Sequence, residues 1–318
     1  MLINVTHIDP CFEYRLREEG ESPGEYGRRA ADLLEAEIQR LGPDSVMAFM
    51  AEPVVGATMA AVAAAPGYFK RIREICDSYG VLLILDEVVC GMGRTGTLFA
   101  CEQDGIAPDI VCIAKGLGAG YQPIGAMLCS SRIYQTIAEG SGFFQHGHTY
   151  LGHPVACAAG RAVVSAVLNR GLLSRVQAQG VKLTAALHER FGQNPHVGDI
   201  RGRDLFQALE FVTDRETKTP FNPSVGVNKI VKRADFEADL ICYPMGAPLT
   251  VARAIMSWWR RPSSSRTSRS PSWSTNWKWR SRRRLAHSGH WLHLHLAPIG
   301  FRLLLNTHSI HPDRCVLP

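Results

Sequence analysis

The sequence predicts an α/β fold built on a mainly parallel sheet. Two apolar runs of strand length lie at residues 81–89 and 109–114, and each delivers an ionisable residue where a strand should end, Asp86 in the first and Lys115 after the second. Continuous apolar runs are typical of strands that are buried on both faces of a parallel sheet. Amphipathic helical segments alternate with the strands, and that order is typical of parallel α/β sheets.

The amino-terminal part supplies the first of these elements. Residues 4–15 are predicted to form a short extended segment. Residues 23–41 carry apolar side chains at helical spacing and end at Gly-Pro, which predicts a helix. A strand at 46–50 leads to Glu52, and an amphipathic helix at 66–80 closes with a glycine directly before the central strand.

The chain after Lys115 continues the pattern and then changes it. A strand is predicted at 125–129, and a polar loop of histidine, glycine and threonine follows at 145–152. Residues 154–191 form a long helical stretch broken near a glycine, which is the kind of element that leads from a larger domain to a smaller one. A strand at 205–212 would belong to that smaller domain.

Asp86 and Lys115 should lie at the same edge of the sheet, because the carboxyl ends of parallel strands meet there. A lysine in that position can lose its proton when it is desolvated and attack a carbonyl to form a Schiff base. A carboxylate at the end of a neighbouring strand can hold the protonated ring nitrogen of pyridoxal phosphate, which makes the ring an electron sink. A lone lysine at a strand end is more often simply solvated, so the sequence around Lys115 must decide between the two interpretations.

Five short motifs follow one another between residues 51 and 154. They are Ala51-Glu-Pro-Val-Val-Gly56, Leu85-Asp-Glu-Val88 with Gly93-Arg-Thr-Gly96, Ile113-Ala-Lys-Gly-Leu-Gly118, Pro123-Ile-Gly-Ala126 and Gly147-His-Thr-Tyr-Leu-Gly-His-Pro154. In this order and spacing they resemble the motifs of class III pyridoxal-phosphate aminotransferases. The resemblance covers about residues 11–246.

This resemblance implies a fold type I enzyme, usually a homodimer with its active sites at the subunit interface. Lys115 would be the Schiff-base lysine, Asp86 the partner of the pyridine nitrogen, and Val88 the residue that packs on the ring. Thr149 would bind the phosphate of the cofactor held by the other subunit. Glu52 matches the glutamate that lies near the substrate carboxylate site in this family.

The resemblance also implies a division into domains. Residues 1–153 would be the remnant of a cofactor-binding large domain with a mainly parallel sheet, residues 154–190 connecting helices, and residues 191–246 a partial α+β small domain. The match begins well inside the large domain of the family, so we expect a chain that is truncated at its amino terminus.

Residues 247–318 differ from the rest in composition. They hold twelve Lys and Arg against one acidic residue, a net charge of +11, whereas residues 1–246 hold 23 basic and 28 acidic residues, a net charge of −5. All six tryptophans also lie in this tail. We interpret it as frame-shifted and disordered sequence, because the segment expected there in the family and the one present can be encoded by one nucleotide string in two frames.

Other features of the sequence resemble sites with different functions. Gly91-Met-Gly-Arg-Thr-Gly96 has the spacing of a dinucleotide-binding loop but does not follow its strand directly. Asp86-Glu87 after apolar residues resembles the magnesium-binding strand of nucleotide hydrolases, whose phosphate-binding loop has no counterpart here. The tail carries histidines that resemble a metal cluster and a basic run at 280–284 that resembles a nucleic-acid site. We expect no metal site, no nucleic-acid partner and no membrane association.

The sequence therefore predicts a transaminase that moves an amino group from an amine or ω-amino acid to a keto acid such as pyruvate or 2-oxoglutarate. A catalytically inactive remnant of such an enzyme is the alternative. Nine cysteines without Cys-x-x-Cys pairs predict reduced thiols in a cytoplasmic protein.

Overall fold

The structure of the protein is a computed structural model, which describes residues 4–246 together with the backbone of Val251–Ile255 and Phe301–Leu303. The strands are β1 (Ala48–Ala51), β2 (Val54–Val55), β3 (Val62–Ala63), β4 (Leu82–Asp86), β5 (Ile110–Ile113), β6 (Ala126–Ser130), β7 (Val197–Arg203), β8 (Phe206–Asp214), β9 (Thr219–Pro220), β10 (Tyr243–Gly246), β11 (Val251–Ile255) and β12 (Phe301–Leu303). The α-helices are α1 (Glu13–Leu16), α2 (Pro23–Leu41), α3 (Tyr68–Tyr79), α4 (Ser131–Glu139), α5 (Pro154–Asn169), α6 (Leu172–Phe191) and α7 (Val227–Glu237).

The larger sheet has the strand order β1-β4-β5-β6-β12. Strands β1, β4 and β5 run parallel, as the sequence predicts, and β6 and β12 each run antiparallel to their neighbour. The connection from β1 to β4 contains the β2–β3 hairpin and α3, and the connection from β4 to β5 contains only the 3-10 helix Ala100–Asp104. The mainly parallel α/β architecture is therefore confirmed.

Helices α2 and α3 pack against one face of this sheet. A capping box between Ser22 and Glu25 begins α2, and a left-handed glycine at position 80 ends α3. The core they form with the sheet contains Tyr26, Leu34, Ile38, Phe69, Ile72, Ile75, Leu83, Leu85, Val111, Ile113 and Leu128. This core fixes the sheet edge at which β4 and β5 end.

The prediction that β4 and β5 are buried on both faces is wrong for the described residues. Leu83 and Leu85 are fully buried, but Leu82 and Ile84, which point to the opposite face, are partly exposed. The burial alternates because α2 and α3 both lie on the same side of the sheet.

A second, antiparallel sheet has the order β10-β11-β8-β7, with β9 paired to β8. Helices α5 and α6 precede it and meet at a bend of 67°. The sequence predicted their break near Gly171, which is the left-handed residue before α6. Strand β7 was missed because its residues alternate glycine and charge rather than apolar side chains.

Other boundaries also differ from the predictions. Residues 13–16, predicted as extended, form the short helix α1. The run at 81–89 forms a strand only to Asp86, because the Asp86 carboxylate turns the chain there. The predictions for the tail at 247–318 lie outside the described residues, apart from the backbone of β11 and β12, which pair with the two sheets.

Among the described helices, none alone combines the length and apolarity needed to span a membrane, although α5 and α6 together pass that test as a bent pair. In the same described residues no cluster of His, Cys, Asp and Glu could hold a metal ion, and the eight cysteines there are free thiols.

Candidate active site

The site lies where β4 and β5 end. Asp86 and Cys112 are register partners in the parallel pair, and Lys115 follows Cys112 by three residues, so the acid and the lysine stand at the same sheet edge. The Asp86 Oδ1 accepts a hydrogen bond of 2.9 Å from the Val88 amide, which fixes the carboxylate. Among the residues that the structure describes, no donor contacts the second oxygen, which leaves it available to a ligand.

Glu87 differs from its neighbour Asp86 because it faces the interior. Its side chain is fully buried and accepts hydrogen bonds of 2.6 Å from the Ala100 amide and 2.9 Å from the Cys101 amide. Burial raises the pKa of this carboxyl, and the two amides oppose the rise. Glu87 therefore holds the 3-10 helix Ala100–Asp104 in place, and only Asp86 faces the site.

Lys115 begins a tight 3-10 turn, Lys115–Leu117. Its φ of +40° is in the left-handed region, which residues with a Cβ rarely adopt except where the surroundings require it. Its side chain is exposed, so the desolvation expected from the sequence is not seen within the described residues. Strain at this position is a signal of function that no sequence pattern reveals.

The loop at residues 91–96 packs behind the lysine. A Cβ added to Gly116 would stand 2.7 Å from the Cβ of Met92, so the two segments touch through backbone and Cβ atoms. Met92 itself has a left-handed φ of +56°. The loop leads only to the 3-10 helix at Ala100–Asp104, and not to the α-helix that a dinucleotide-binding loop requires.

Glu52 joins Asp86 and Lys115 from the end of β1. Its Oε2 accepts a hydrogen bond of 2.8 Å from the Gly56 amide. Burial raises the pKa of the half-buried carboxyl; the Gly56 amide opposes the rise, the negative charge of Asp86 adds to it, and the charge of Lys115 counteracts it. Glu52 is therefore within electrostatic reach of both predicted catalytic residues.

Val88 and Thr149 lie in different surroundings. Val88 is partly buried, directly after the Asp86 turn. Thr149 is exposed in the loop at 145–152, and its hydroxyl makes no hydrogen bond to the described residues. Its predicted contact with a cofactor on another subunit stays a prediction.

Arg201 is a residue near the site that the sequence did not single out. It lies on β7 in the second sheet, and its guanidinium donates to the carbonyl oxygens of Met59 and Ala60, in the hairpin that follows Glu52. In the sequence, Arg201 lies in Asp199-Ile-Arg-Gly202, just before the strand predicted at 205–212, and nothing in that run indicates this contact.

Comparison with known proteins places these residues in a family. The family model "Aminotransferase class-III" matches residues 1–259. The chain belongs to the class III aminotransferases. Enzymes of this family depend on pyridoxal phosphate, and the fold type I architecture expected from the sequence is confirmed by the solved transaminase structures that resemble this one.

Two curated aminotransferases illustrate the similarity. An "Aminotransferase" from Gibberella zeae is 46% identical over 228 residues, which cover 72% of this chain and 45% of the relative. The diaminobutyrate–2-oxoglutarate transaminase of Halomonas elongata is 38% identical over 262 residues, with 78% of this chain and 56% of the relative covered. This aminotransferase chain thus spans about half the length of the curated relatives it matches.

A solved transaminase structure shows a similar fold and a similar extent of overlap. The (S)-enantioselective omega-transaminase from Thermomicrobium roseum superposes with a TM-score of 0.73 at 36% identity, covering 80% of this chain and 56% of that one.

Proposed function

We propose that this chain is a pyridoxal-phosphate-dependent transaminase that transfers an amino group from an amine or ω-amino acid to a keto acid such as pyruvate or 2-oxoglutarate. The observation that carries the proposal is the meeting of Lys115, Asp86 and Glu52 at one sheet edge in a class III chain. The printed activities of two relatives, a diaminobutyrate–2-oxoglutarate transaminase and an omega-transaminase, support the substrate classes.

The residues present fit the cofactor. Lys115 offers an exposed primary amine as the point of covalent attachment, and Asp86 offers a carboxylate oxygen with no described donor for the ring nitrogen. Val88 would pack on the ring, and Thr149 of a second subunit would bind the phosphate. When bound, pyridoxal phosphate supplies a ring that withdraws electrons from the substrate carbon next to the amine.

Each residue then has a task that its chemistry allows. As a free amine, the Nζ of Lys115 would take the proton from the substrate carbon as a general base and then donate it to the cofactor as a general acid. Asp86 keeps a proton on the ring nitrogen by charge, because a carboxylate favours a positive partner. Glu52 lies beside both and would contact the end of the substrate that carries a carboxylate or an amine.

Assembly and location are part of the proposal. We infer a homodimer, because the predicted role of Thr149 requires a second subunit, and a cytoplasmic enzyme, because the eight cysteines that the structure describes are free thiols.

The test is turnover by the purified chain supplied with pyridoxal phosphate. Primary amines and ω-amino acids are offered with pyruvate or with 2-oxoglutarate, and formation of alanine or glutamate is measured by chromatography. The proposal expects product with at least one pair and none from Lys115→Ala. A folded chain that forms no product with any pair would contradict it and would favour the inactive remnant.

A further inference from the structure

Arg201 joins the second sheet to the β2–β3 hairpin, which follows Glu52 in the chain. Its Nε donates to the Ala60 carbonyl oxygen at 2.9 Å, and its Nη2 donates to the Met59 carbonyl oxygen at 2.8 Å. The side chain is 10% exposed, so water competes little for these bonds. One planar guanidinium thus holds two successive carbonyls of a turn from more than a hundred residues away.

The turn held by Arg201 is strained. Ala60 and Ala61 are fully buried and have left-handed φ values of +57° and +54°. A left-handed conformation is unfavourable for a residue with a Cβ and persists only where surrounding contacts impose it. Arg201 supplies two of those contacts at the first strained residue and the one before it.

The same turn also positions the Glu52 carboxylate. The Ala60 amide donates to the Gly56 carbonyl oxygen at 2.9 Å, and the Gly56 amide donates to the Glu52 carboxylate at 2.8 Å. Gly56 also packs closely on Val89, because an added Cβ would stand only 3.0 Å from that side chain. A shift of the turn would therefore move the Gly56 amide and release the Glu52 carboxylate.

Arg201 is itself held in one orientation. Its Nη1 pairs at 2.6 Å with Glu210, a fully buried carboxylate, and at 3.0 Å with Asp199. Its guanidinium carbon lies 5.0 Å from the ring centroid of Phe12. Arg15 of α1 contacts the other oxygen of Glu210. The Nε and Nη2 donors of Arg201, which face the hairpin, are therefore held in place by these ion pairs and by packing on Phe12.

We propose that Arg201 is a positioning residue of the active site, which orients the Glu52 carboxylate by holding the Met59 and Ala60 carbonyls. The proposal deepens the proposed transaminase function and rests on it for the role of Glu52. Through Arg201, the second sheet would support the part of the site in which Glu52 contacts the substrate. A lysine at position 201 would keep the charge but could not reproduce the two-pronged contact.

The experiment measures amide hydrogen exchange of the full chain by mass spectrometry, for the wild type, Arg201→Lys and Arg203→Lys. Arg203 is the matched control: it is on the same strand, is similarly buried, and pairs with Asp104 rather than with the hairpin. Exchange in peptides covering residues 53–63 should rise about tenfold in Arg201→Lys and remain near the wild-type rate in Arg203→Lys. An unchanged rate in Arg201→Lys, or an equal rise in both variants, would overturn the proposal.

A second variant guards against unfolding caused by an unpaired Glu210. The double substitution Arg201→Met and Glu210→Gln removes the fully buried carboxylate together with its partner and keeps a side-chain oxygen that can accept from Arg15; Arg15 and Asp199 are partly exposed, so no fully buried charge is left unpaired. It should show the same local rise at residues 53–63. A rise spread evenly over the chain would mean that Arg201 acts on global stability, and the proposal would fail.

Kinetics then separate this inference from the proposed function. In Arg201→Lys the KM for the amine donor should rise at least about fivefold while kcat changes less, because a displaced Glu52 carboxylate attracts the positively charged amine end of the substrate less. An exchange rise without any change in that KM would contradict the link to Glu52. A wild type without turnover would refute the transaminase proposal alone, since the exchange result needs neither cofactor nor substrate.

Discussion

Met92 and Gly116 meet directly behind the predicted catalytic lysine. A Cβ on Gly116 would stand 2.7 Å from the Cβ of Met92, a distance that real Cβ atoms do not adopt. The backbone is strained on both sides of this contact: Met92 has a φ of +56°, and Lys115, directly before Gly116, has a φ of +40°. The missing side chain of Gly116 is thus what lets the loop at 91–96 press against the lysine turn.

We predict that Gly116→Ala displaces Lys115. The added methyl group must push either the loop or the turn away, so transaminase activity should fall by about 10²-fold, as misplacement near the chemistry commonly does. A second substitution, Met92→Gly, removes the opposing Cβ at a position whose left-handed φ suits glycine. The double variant should recover much of the activity, and no recovery would show that the contact is not the cause.

Asp86 and Glu87 should respond differently to loss of charge. Asp86→Asn keeps an oxygen for the Val88 amide but removes the negative charge, so activity should fall by about 10²-fold or more while the melting temperature stays near that of the wild type. Equal activity of Asp86→Asn and wild type under saturating cofactor would contradict the role assigned to Asp86.

Glu87→Gln should instead lower stability. The amide offers one oxygen where the carboxylate accepts from both Ala100 and Cys101, so one buried amide loses its partner at a cost of about 1–3 kcal/mol. Urea unfolding measures this free energy. A stable but inactive Glu87→Gln would show that this acid acts in the site after all.

Asp109 provides a pH-dependent test of the fold. It accepts hydrogen bonds from Arg73, Arg132 and the Leu83 amide. Burial raises the pKa of this carboxyl, but the Leu83 amide and Arg73 outweigh it, so the pKa is lowered. Because the folded-state pKa is below the unfolded value of about 4, the interaction stabilises the fold above that pH and is lost as the pH falls through the folded-state pKa.

Asp109→Asn should therefore unfold more easily than the wild type at pH 7, by about 1–3 kcal/mol in urea. The difference should narrow below about pH 4, where the wild-type carboxyl also becomes protonated. Asp77→Asn is the control: Asp77 is 68% exposed and, within the described part of the chain, pairs only with Arg73 at 2.8 Å, so its loss should cost less than about 0.5 kcal/mol. A pH-independent difference for Asp109→Asn would contradict this account.

Thr149 can be tested by mixing two inactive variants. If Thr149 binds the cofactor held by the other subunit, a dimer of one Lys115→Ala chain and one Thr149→Val chain contains one site with both residues intact. Random re-association should then restore about a quarter of wild-type activity. No restoration, with dimers that do exchange subunits, would place the Thr149 contact within its own chain or remove it altogether.

The sequence predicted the elements whose pattern is local and repetitive. Helix α2 has the predicted bounds because its apolar spacing and capping box lie within the helix itself. The parallel strands β4 and β5 were predicted because their side chains are uniformly apolar. Strand β7 was missed because it is held by pairing with β8 and by ion pairs of Arg201, neither of which leaves a periodic pattern.

The same distinction applies to the site. Asp86 and Lys115 were found because strand ends can be read from the chain, and parallel pairing then brings them to one edge. The contact of Arg201 with the turn at Met59 and Ala60 joins residues 141 or more positions apart, so it depends on the packing of two sheets. The exposed state of Lys115 likewise depends on what surrounds the edge and not on the apolar run before it.

The most direct measurement of the central claim is covalent trapping. The purified chain is incubated with pyridoxal phosphate, reduced with borohydride, digested and mapped by mass spectrometry, with Lys115→Ala and the surface variant Lys182→Ala as controls. The account predicts a phosphopyridoxyl group on the peptide with Lys115 in the wild type and in Lys182→Ala, and none at that position in Lys115→Ala. Labelling scattered over surface lysines, with no preference for Lys115 in a folded chain, would contradict it.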